Sequence, residues 1–264
     1  MRDLGGELTL IADAARAAGA LVMGYFGQVK SWEKAKGSPV TEADLAADLL
    51  LKKQLLGARP DYGWLSEETL DHPARLDRPR AFVVDPIDGT RAFVEGRNQF
   101  SISIALVEHG RPVAGAVFNP ATDEMFTAEL SGGARRNGAS LRVRDGGDLA
   151  GTRFLAGARS FREALGDDAG RSAAVWINSI AYRLGLVAAG EFDGAITLFG
   201  THDWDIAAGA LIVGEAGGRI THADGQGFRF NQPSTRHPSM VAAGPTRHAM
   251  LLERIAAATP TGAR

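Results

Sequence analysis

The sequence predicts a mixed α/β fold on three observations. Two N-terminal segments carry apolar residues at helical spacing, a central run of short β-favouring stretches is broken by turn chemistry, and the second half alternates strands with helices. Residues 7–26 place Leu8, Ile11, Ala15, Ala18, Val22 and Tyr25 three and four apart, the pattern of a helix buried along one side, and Gly27 ends it. The basic loop KSWEKAKGSPV leads to a second helix from about Thr41, with Leu45, Leu49 and Leu56 on one face, closed by Arg59, Pro60 and Asp61. From position 80, AFVVD, SISIALV, PVAGAVF and EMFTAEL are separated by HGRP, NPATD and SGG, which reads as an antiparallel meander. After the polar stretch RDGGDLAG, strand-like RFLAGA and GAITLF alternate with a helix near 172–190 whose shared face is Ile177, Ile180, Ala181, Leu184 and Val187. The last helix is expected from about Asp205 to Ala216, ending at Gly217 and Gly218. Strand-like RITHAD and SMVAAG follow it, and TPTGAR reads as a loose tail.

Composition narrows the function classes. With 264 residues, 45% hydrophobic and 23% charged, the chain has the balance of a globular protein, as one large domain or two modest ones. A formal charge of −2 supplies no positive field for a nucleic-acid polymer. Five of the 29 basic residues are lysine, so single arginines are weak clues to a site. The absence of cysteine removes disulfides, thiolate metal sites and a cysteine nucleophile, so any metal must be held by oxygen or imidazole. No apolar stretch approaches the roughly 20 residues that span a bilayer, and a cytoplasmic protein without a membrane partner is expected.

The most informative stretch is VVDPIDGT, residues 83–90, leaving a hydrophobic strand for a helix at RAFVEG. Pro86 forces Asp85 into an extended conformation and has no N–H for a ladder, so Asp85, Asp88 and a free Ile87 carbonyl can converge on one cation. Gly89 permits close backbone approach, and the N–H groups of Gly89 and Thr90 at a helix start suit a phosphate. The alternative for this turn is an ordinary helix cap at Asp88. In GWLSEETLD, Glu67 and Glu68 are adjacent on a strand and point to opposite sides, so only one of them would bind a metal directly, with a solvated strand end as the alternative for the pair. Asp205, in HDWDIAAGALIVGEAGG, has an ordinary N-cap as its alternative, and Asp44, in TEAD, stands three residues after Thr41 as in a capping box. Taken together, the acids follow buried-looking runs. Two like charges about 4 Å apart cost on the order of 4 kcal/mol at an effective dielectric of 20. Divalent cations remove that penalty, and all-oxygen ligation selects Mg²⁺ or Mn²⁺ over zinc.

GWLSEET, VVDPIDGT and HDWDIAAGALIVGEAGG, in this order, closely resemble the signatures of the inositol monophosphatase superfamily, and KGSPVTEAD and SISIALVEHGRPVAGAVFNP extend the likeness over nearly the whole chain. The resemblance implies a layered α/β/α/β/α sandwich of the inositol monophosphatase and fructose-1,6-bisphosphatase type. Its halves, residues 1–150 and 151–264, would form one compact unit with the site between them. It implies a lithium-sensitive phosphomonoesterase, a homodimer, with two or three Mg²⁺ per site and Mn²⁺ as a substitute. By the same likeness, Glu67, Asp85 and the Ile87 carbonyl hold one metal, and Asp85, Asp88 and Asp205 a second. Glu68 acts through metal-bound water, and Asp44 and Thr90 orient and deprotonate the attacking water. Lys36 matches a family segment near a third, weaker metal site, with a solvated lysine as the alternative.

For the substrate, the resemblance implies a small phosphorylated metabolite. Inositol monophosphatases place an acid shortly before the WD motif to contact sugar hydroxyls, whereas ITLFGTHDWD offers Thr197 or Leu198. FVEGRNQFSISIALVEHGRPVAGAVFNPATDEMF looks more like the bacterial 3'(2'),5'-bisphosphate nucleotidase branch, which makes 3'-phosphoadenosine 5'-phosphate the expected substrate, with inositol 1-phosphate and histidinol phosphate as alternatives. A second phosphate needs cations at the rim. Arg91, Arg97, Arg159 and Arg183 are the candidates, with solvated helix charges as their other reading, and Lys36 and His202 complete the expected substrate contacts. A non-catalytic, metal-binding regulatory protein would be expected to have lost one of Glu67, Asp85, Asp88, Thr90 or Asp205, and all are present.

Overall fold

A computed structural model describes residues 4–33 and 39–258. Lys36 and the TPTGAR tail lie outside the described residues. Helix α1 (Leu4–Met23) and the short antiparallel pair β1 (Ser31–Glu33) and β2 (Pro39–Thr41) precede α2 (Glu42–Ala58). Strands β3 (Gly63–Ser66) and β4 (Arg80–Asp88) and the short helix α3 (Thr90–Val94) come next. The meander is β5 (Ser101–Glu108), β6 (Arg111–Asn119), β7 (Glu124–Glu129), β8 (Gly133–Arg136) and β9 (Ala139–Ser140). The chain continues with β10 (Arg153–Ala156), α4 (Ala158–Leu165), β11 (Ala173–Val175), α5 (Ile180–Ala188) and β12 (Gly194–Thr197). It closes with β13 (Thr201–His202), α6 (Asp203–Glu215), β14 (Arg219–Thr221), β15 (Arg236–His237), β16 (Met240–Ala243) and α7 (Pro245–Ala258).

Strands β3 to β9 form a seven-stranded sheet in sequence order, antiparallel except for the parallel pair β3 and β4. A five-stranded sheet is ordered β11, β10, β12, β16, β14, with β10 parallel to both neighbours and β16 antiparallel to both of its own. Side-chain alternation builds the layers. On the large sheet Phe82, Val84, Ile102 and Ile104 meet Ile11, Ala18, Leu51 and Leu55 of α1 and α2, while Val83, Ala105, Val117 and Phe126 face Leu184 and Val213 of α5 and α6. On the small sheet Leu155 and Ala195 join that central core, whereas Phe154, Ile196 and Val241 pack on Phe161, Leu165, Leu251 and Ile255 of α4 and α7. The order is therefore α/β/α/β/α, as the resemblance implied.

Three expectations are corrected. Leu45 and Leu49 do not form the inward face of α2: they are 46% and 70% exposed, and the buried side carries Ala43, Asp44, Ala47, Asp48, Leu51 and Leu55. Two acids took the place of apolar residues on that face, and the apolar periodicity misled. The helix expected near 172–190 begins only at Ile180, because Ser179 caps it by accepting the Tyr182 N–H at 3.0 Å, and Ala173–Val175 adds a strand to the small sheet. The helix ending near Ala216 is not the last one. After Gly244, α7 buries His248, Leu251 and Ile255, which are spaced three and four apart.

Candidate metal centre and active site

In a regular strand, residues three apart face opposite sides of a sheet. Asp85 stands opposite Ser103 and Asp88 opposite Ser101, so three steps along β4 match two along β5. This one-residue bulge, at the Pro86 that cannot donate to the ladder, turns both acids to the same face. That face is the one against α6, where the Ser103 hydroxyl donates to the Trp204 carbonyl at 3.0 Å. Close packing brings α6 in: a Cβ at Gly115 of β6 would lie 3.2 Å from Ala208 Cα. Asp205 is the third residue of α6 and its Oδ2 accepts the N–H of His202, the N-cap, at 2.7 Å. Asp205 is therefore not the N-cap itself, a place His202 takes, but the third helical residue that accepts the cap's N–H, and this role coexists with a place at the cavity.

Asp85, Asp88 and Asp205 each offer a carboxylate oxygen within 4.8 Å of the others. Together with Glu67, Ile87, Gly89, Thr90, Arg91, Asn178 and Pro39 they line a cavity of about 180 Å³. Burial pushes the Asp85 carboxyl well above the ordinary carboxylate range, helped by the charges of Glu67, Asp88, Asp205 and Glu68. Asp205 is pushed well up for the same first reason, with Asp88 and Glu67 adding repulsion. Burial also raises Asp88, to about 6, against the lowering effect of hydrogen bonds from the Ser179 hydroxyl (2.7 Å) and the Ala181 N–H (2.6 Å) and of the Arg183 charge. Enclosed, mutually repelling and all-oxygen, this donor set fits a hard divalent cation. Asn178 Oδ1 is buried at the same cavity with no hydrogen-bond partner among the described residues.

Asp44 and Thr90 meet as expected. The Thr90 hydroxyl lies 3.1 Å from Asp44 Oδ1 and 3.0 Å from the Ile87 carbonyl, so that carbonyl, expected to be free, has a donor beside it. Asp44 also completes the capping box of α2, its Oδ2 accepting from the Thr41 N–H at 2.8 Å and the Thr41 hydroxyl at 2.6 Å. Burial raises the Asp44 carboxyl, opposed by those hydrogen bonds. Glu67 lines the cavity and Glu68 does not, in keeping with the strand alternation. Gly89 has φ +96°, and a Cβ there would come within 2.7 Å of the Gln99 carbonyl oxygen.

The expected cationic rim is only partly present. Arg91 lines the cavity. Arg97 instead pairs with Glu95 and Gln99, and Arg159 is exposed, paired with Glu163 at 2.7 Å and lying over the Phe199 ring. Arg183 is no rim residue. It is 2% exposed, donates Nε–H to the Ile177 carbonyl at 2.6 Å and sits 4.1 Å from the centre of the Trp176 ring. Its burial lowers it to about 10, partly offset by the charges of Asp88 and Asp205. His202 stacks on Trp204 with ring centres 4.6 Å apart and does not line the cavity. Thr197 and Leu198 stand at the end of β12, both partly buried. Sequence reasoning missed Asn178, which carries no charge and fell inside the helix wrongly placed near 172–190.

Residues 7–261 match the sequence profile of the inositol monophosphatase family. The chain is 37% identical over 238 residues to an inositol-1-monophosphatase of Rhizobium meliloti (strain 1021), covering 83% of this chain and 86% of that protein. It is 34% identical over 226 residues to the Nus factor SuhB of Xylella fastidiosa (strain Temecula1 / ATCC 700964), covering 81% and 80%. Among solved structures, an IMPase of Thermotoga maritima superposes with a TM-score of 0.86 at 28% identity, over 96% of this chain and 98% of that one.

Proposed function

Since the chain belongs to the inositol monophosphatase family, whose members are metal-dependent phosphatases, we propose that it is a Mg²⁺-dependent phosphomonoesterase whose substrate is an inositol 1-phosphate or a close analogue. The observation that carries this reading is the convergence of Asp85, Asp88 and Asp205 beside Glu67 in one small cavity. Mg²⁺ held there supplies a water of lowered pKa and positive charge for the phosphoryl oxygens. Glu67, Asp85, Asp88, Asp205 and the Ile87 carbonyl are the proposed ligands. Asp44, through Thr90, would orient the attacking water and take its proton, a reading supported by their 3.1 Å contact, and Glu68 would act through metal-bound water. Gly89 and Thr90 line the wall where the phosphoryl group would rest, with Arg91 at its edge. At about 180 Å³ the cavity is below the roughly 300–1,000 Å³ of ordinary ligand pockets, which leaves the alcohol part of the substrate outside it. The two halves, residues 1–150 and 151–264, supply its walls jointly, and a lithium-inhibited homodimer in the cytoplasm completes the reading.

Relatives named inositol-1-monophosphatase support the inositol reading, and the relatives named above give the nucleotidase branch no support. One observation keeps 3'-phosphoadenosine 5'-phosphate as a second reading: ITLFGTHDWD offers Thr197 or Leu198, and no glutamate, ahead of the WD motif. The test is phosphate release with Mg²⁺ from inositol 1-phosphate, 3'-phosphoadenosine 5'-phosphate, histidinol phosphate and fructose 1,6-bisphosphate. The highest kcat/KM is expected for inositol 1-phosphate, and a tenfold preference for the nucleotide would replace the first reading with the second.

A further inference from the structure

Helix α2 buries two acids one turn apart. Asp44 reaches Thr90, beyond the end of β4, and Asp48 reaches the end of β3. Asp48 is 8% exposed, and among the described residues no cation is paired with it. Its Oδ1 accepts the Ser66 hydroxyl and its Oδ2 the Thr69 hydroxyl, each at 2.5 Å. Both hydroxyls are fixed in turn, Ser66 Oγ accepting the Glu68 N–H at 3.3 Å and Thr69 Oγ1 the Trp64 Nε1–H at 3.2 Å. Between these two clamped residues lie Glu67 and Glu68. The Glu67 N–H donates to the Val84 carbonyl at 3.2 Å, next to Asp85 on the neighbouring strand.

Burying a carboxylate is costly unless its oxygens are satisfied, and an apolar side chain would fill this helix face as Ala47, Leu51 and Leu55 do. Packing alone does not explain an acid whose two oxygens hold the two flanks of Glu67 and Glu68. We propose that Asp48 is a positioning residue for the cation site: by gripping Ser66 and Thr69 it fixes the Glu67 carboxylate against Asp85, without touching the cation. This rests on the metal-site reading given under Proposed function.

The test is Mg²⁺ binding to the substrate-free protein by titration calorimetry, beside metal-free melting. Partners one step removed from a metal typically change affinity 10- to 100-fold, so Asp48→Asn is expected to weaken Mg²⁺ binding by at least tenfold while still melting cooperatively. In the Glu67→Gln background the same substitution should add little, because the effect runs through Glu67. Thr69→Val removes one arm of the clamp and gives the same readout if Asp48→Asn does not fold. Unchanged Mg²⁺ affinity in a folded variant, or an equal loss with and without Glu67, overturns the proposal while leaving the phosphatase reading intact. Absence of Mg²⁺ binding by the unsubstituted protein overturns both.

Discussion

The Ser179 hydroxyl donates to Asp88 Oδ2 at 2.7 Å while its oxygen accepts the Tyr182 N–H at 3.0 Å, so the cap of α5 and an acid of the proposed cation site are one hydrogen-bonded unit. The Ala181 N–H reaches the same carboxylate oxygen at 2.6 Å. Asp88 therefore meets the start of a helix from the second half of the chain, where unpaired N–H groups favour a negative charge. Ser179→Ala should raise the Asp88 carboxyl further and weaken Mg²⁺ binding several-fold, read by calorimetry. An unchanged affinity would mean that the serine only caps the helix.

Asp85→Asn separates charge from shape. The amide cannot supply the charge proposed for a bridging ligand, so turnover should fall by well over a hundredfold. At the same time the metal-free protein should melt higher, because a group pushed up by burial, and further by the charges of Glu67, Asp88 and Asp205, no longer ionises. Loss of less than about tenfold, roughly 1.4 kcal/mol of barrier, contradicts a bridging role.

Metal-free stability should fall with rising pH across the acid range. Asp88 has its carboxyl raised from 3.8 to about 6, so between those values the folded protein holds a proton that the unfolded chain has released. Stability is then fully present below the unfolded value and is lost as pH climbs to about 6, by on the order of 3 kcal/mol for this group. Saturating Mg²⁺ reverses the loss above pH 6 and does little near pH 4, where the ligands are protonated. At 100 times its dissociation constant the gain is about 2.7 kcal/mol. Chemical denaturation across pH with and without Mg²⁺ checks both signs, and identical curves would show that the acids hold no cation.

Thr90→Val should lower kcat by about 10² to 10⁴, the usual scale of general-base assistance, since it removes the hydroxyl 3.1 Å from Asp44. Thr90→Ser should keep most of the rate. If valine and serine behave alike, the hydroxyl has no part in orienting water.

Gly89→Ala is expected to destabilise by about 1–3 kcal/mol, combining a backbone at φ +96° with a Cβ that would sit 2.7 Å from the Gln99 oxygen. Denaturant unfolding measures it. A neutral result would show that the loop relaxes without cost.

Much of the site was legible because its acids sit in short, ordered motifs. Asp85, Asp88, Asp205 and Glu67 stand out by residue type and spacing, the pairing of Asp44 with Thr90 followed from the family likeness, and the capping box of Thr41 and Asp44 was legible too. What escaped depended on register and on element boundaries. Asp85 and Asp88 share a face only through a bulge, which a strand of ordinary period would not show. Asn178 escaped because the expected helix near 172–190 runs over it, and Arg183 because α5 is buried all round, from Ala181 to Ala188, which leaves no solvated face for its charge. Asp48 was hidden behind Leu45 and Leu49, whose apolar character suggested the opposite face of α2.

The helices α5 and α6, shared between the two sheets, decide how far this chain can be divided. A fragment ending near residue 150 would present Val83, Ala105, Val117 and Phe126 to water as a broad apolar surface, the kind that drives aggregation. The complementary fragment would keep both helices with one of their two partner sheets missing. Neither piece is expected to stay soluble alone, and mixing the two should restore activity only if α6 docks again on β6 through the narrow Gly115–Ala208 contact.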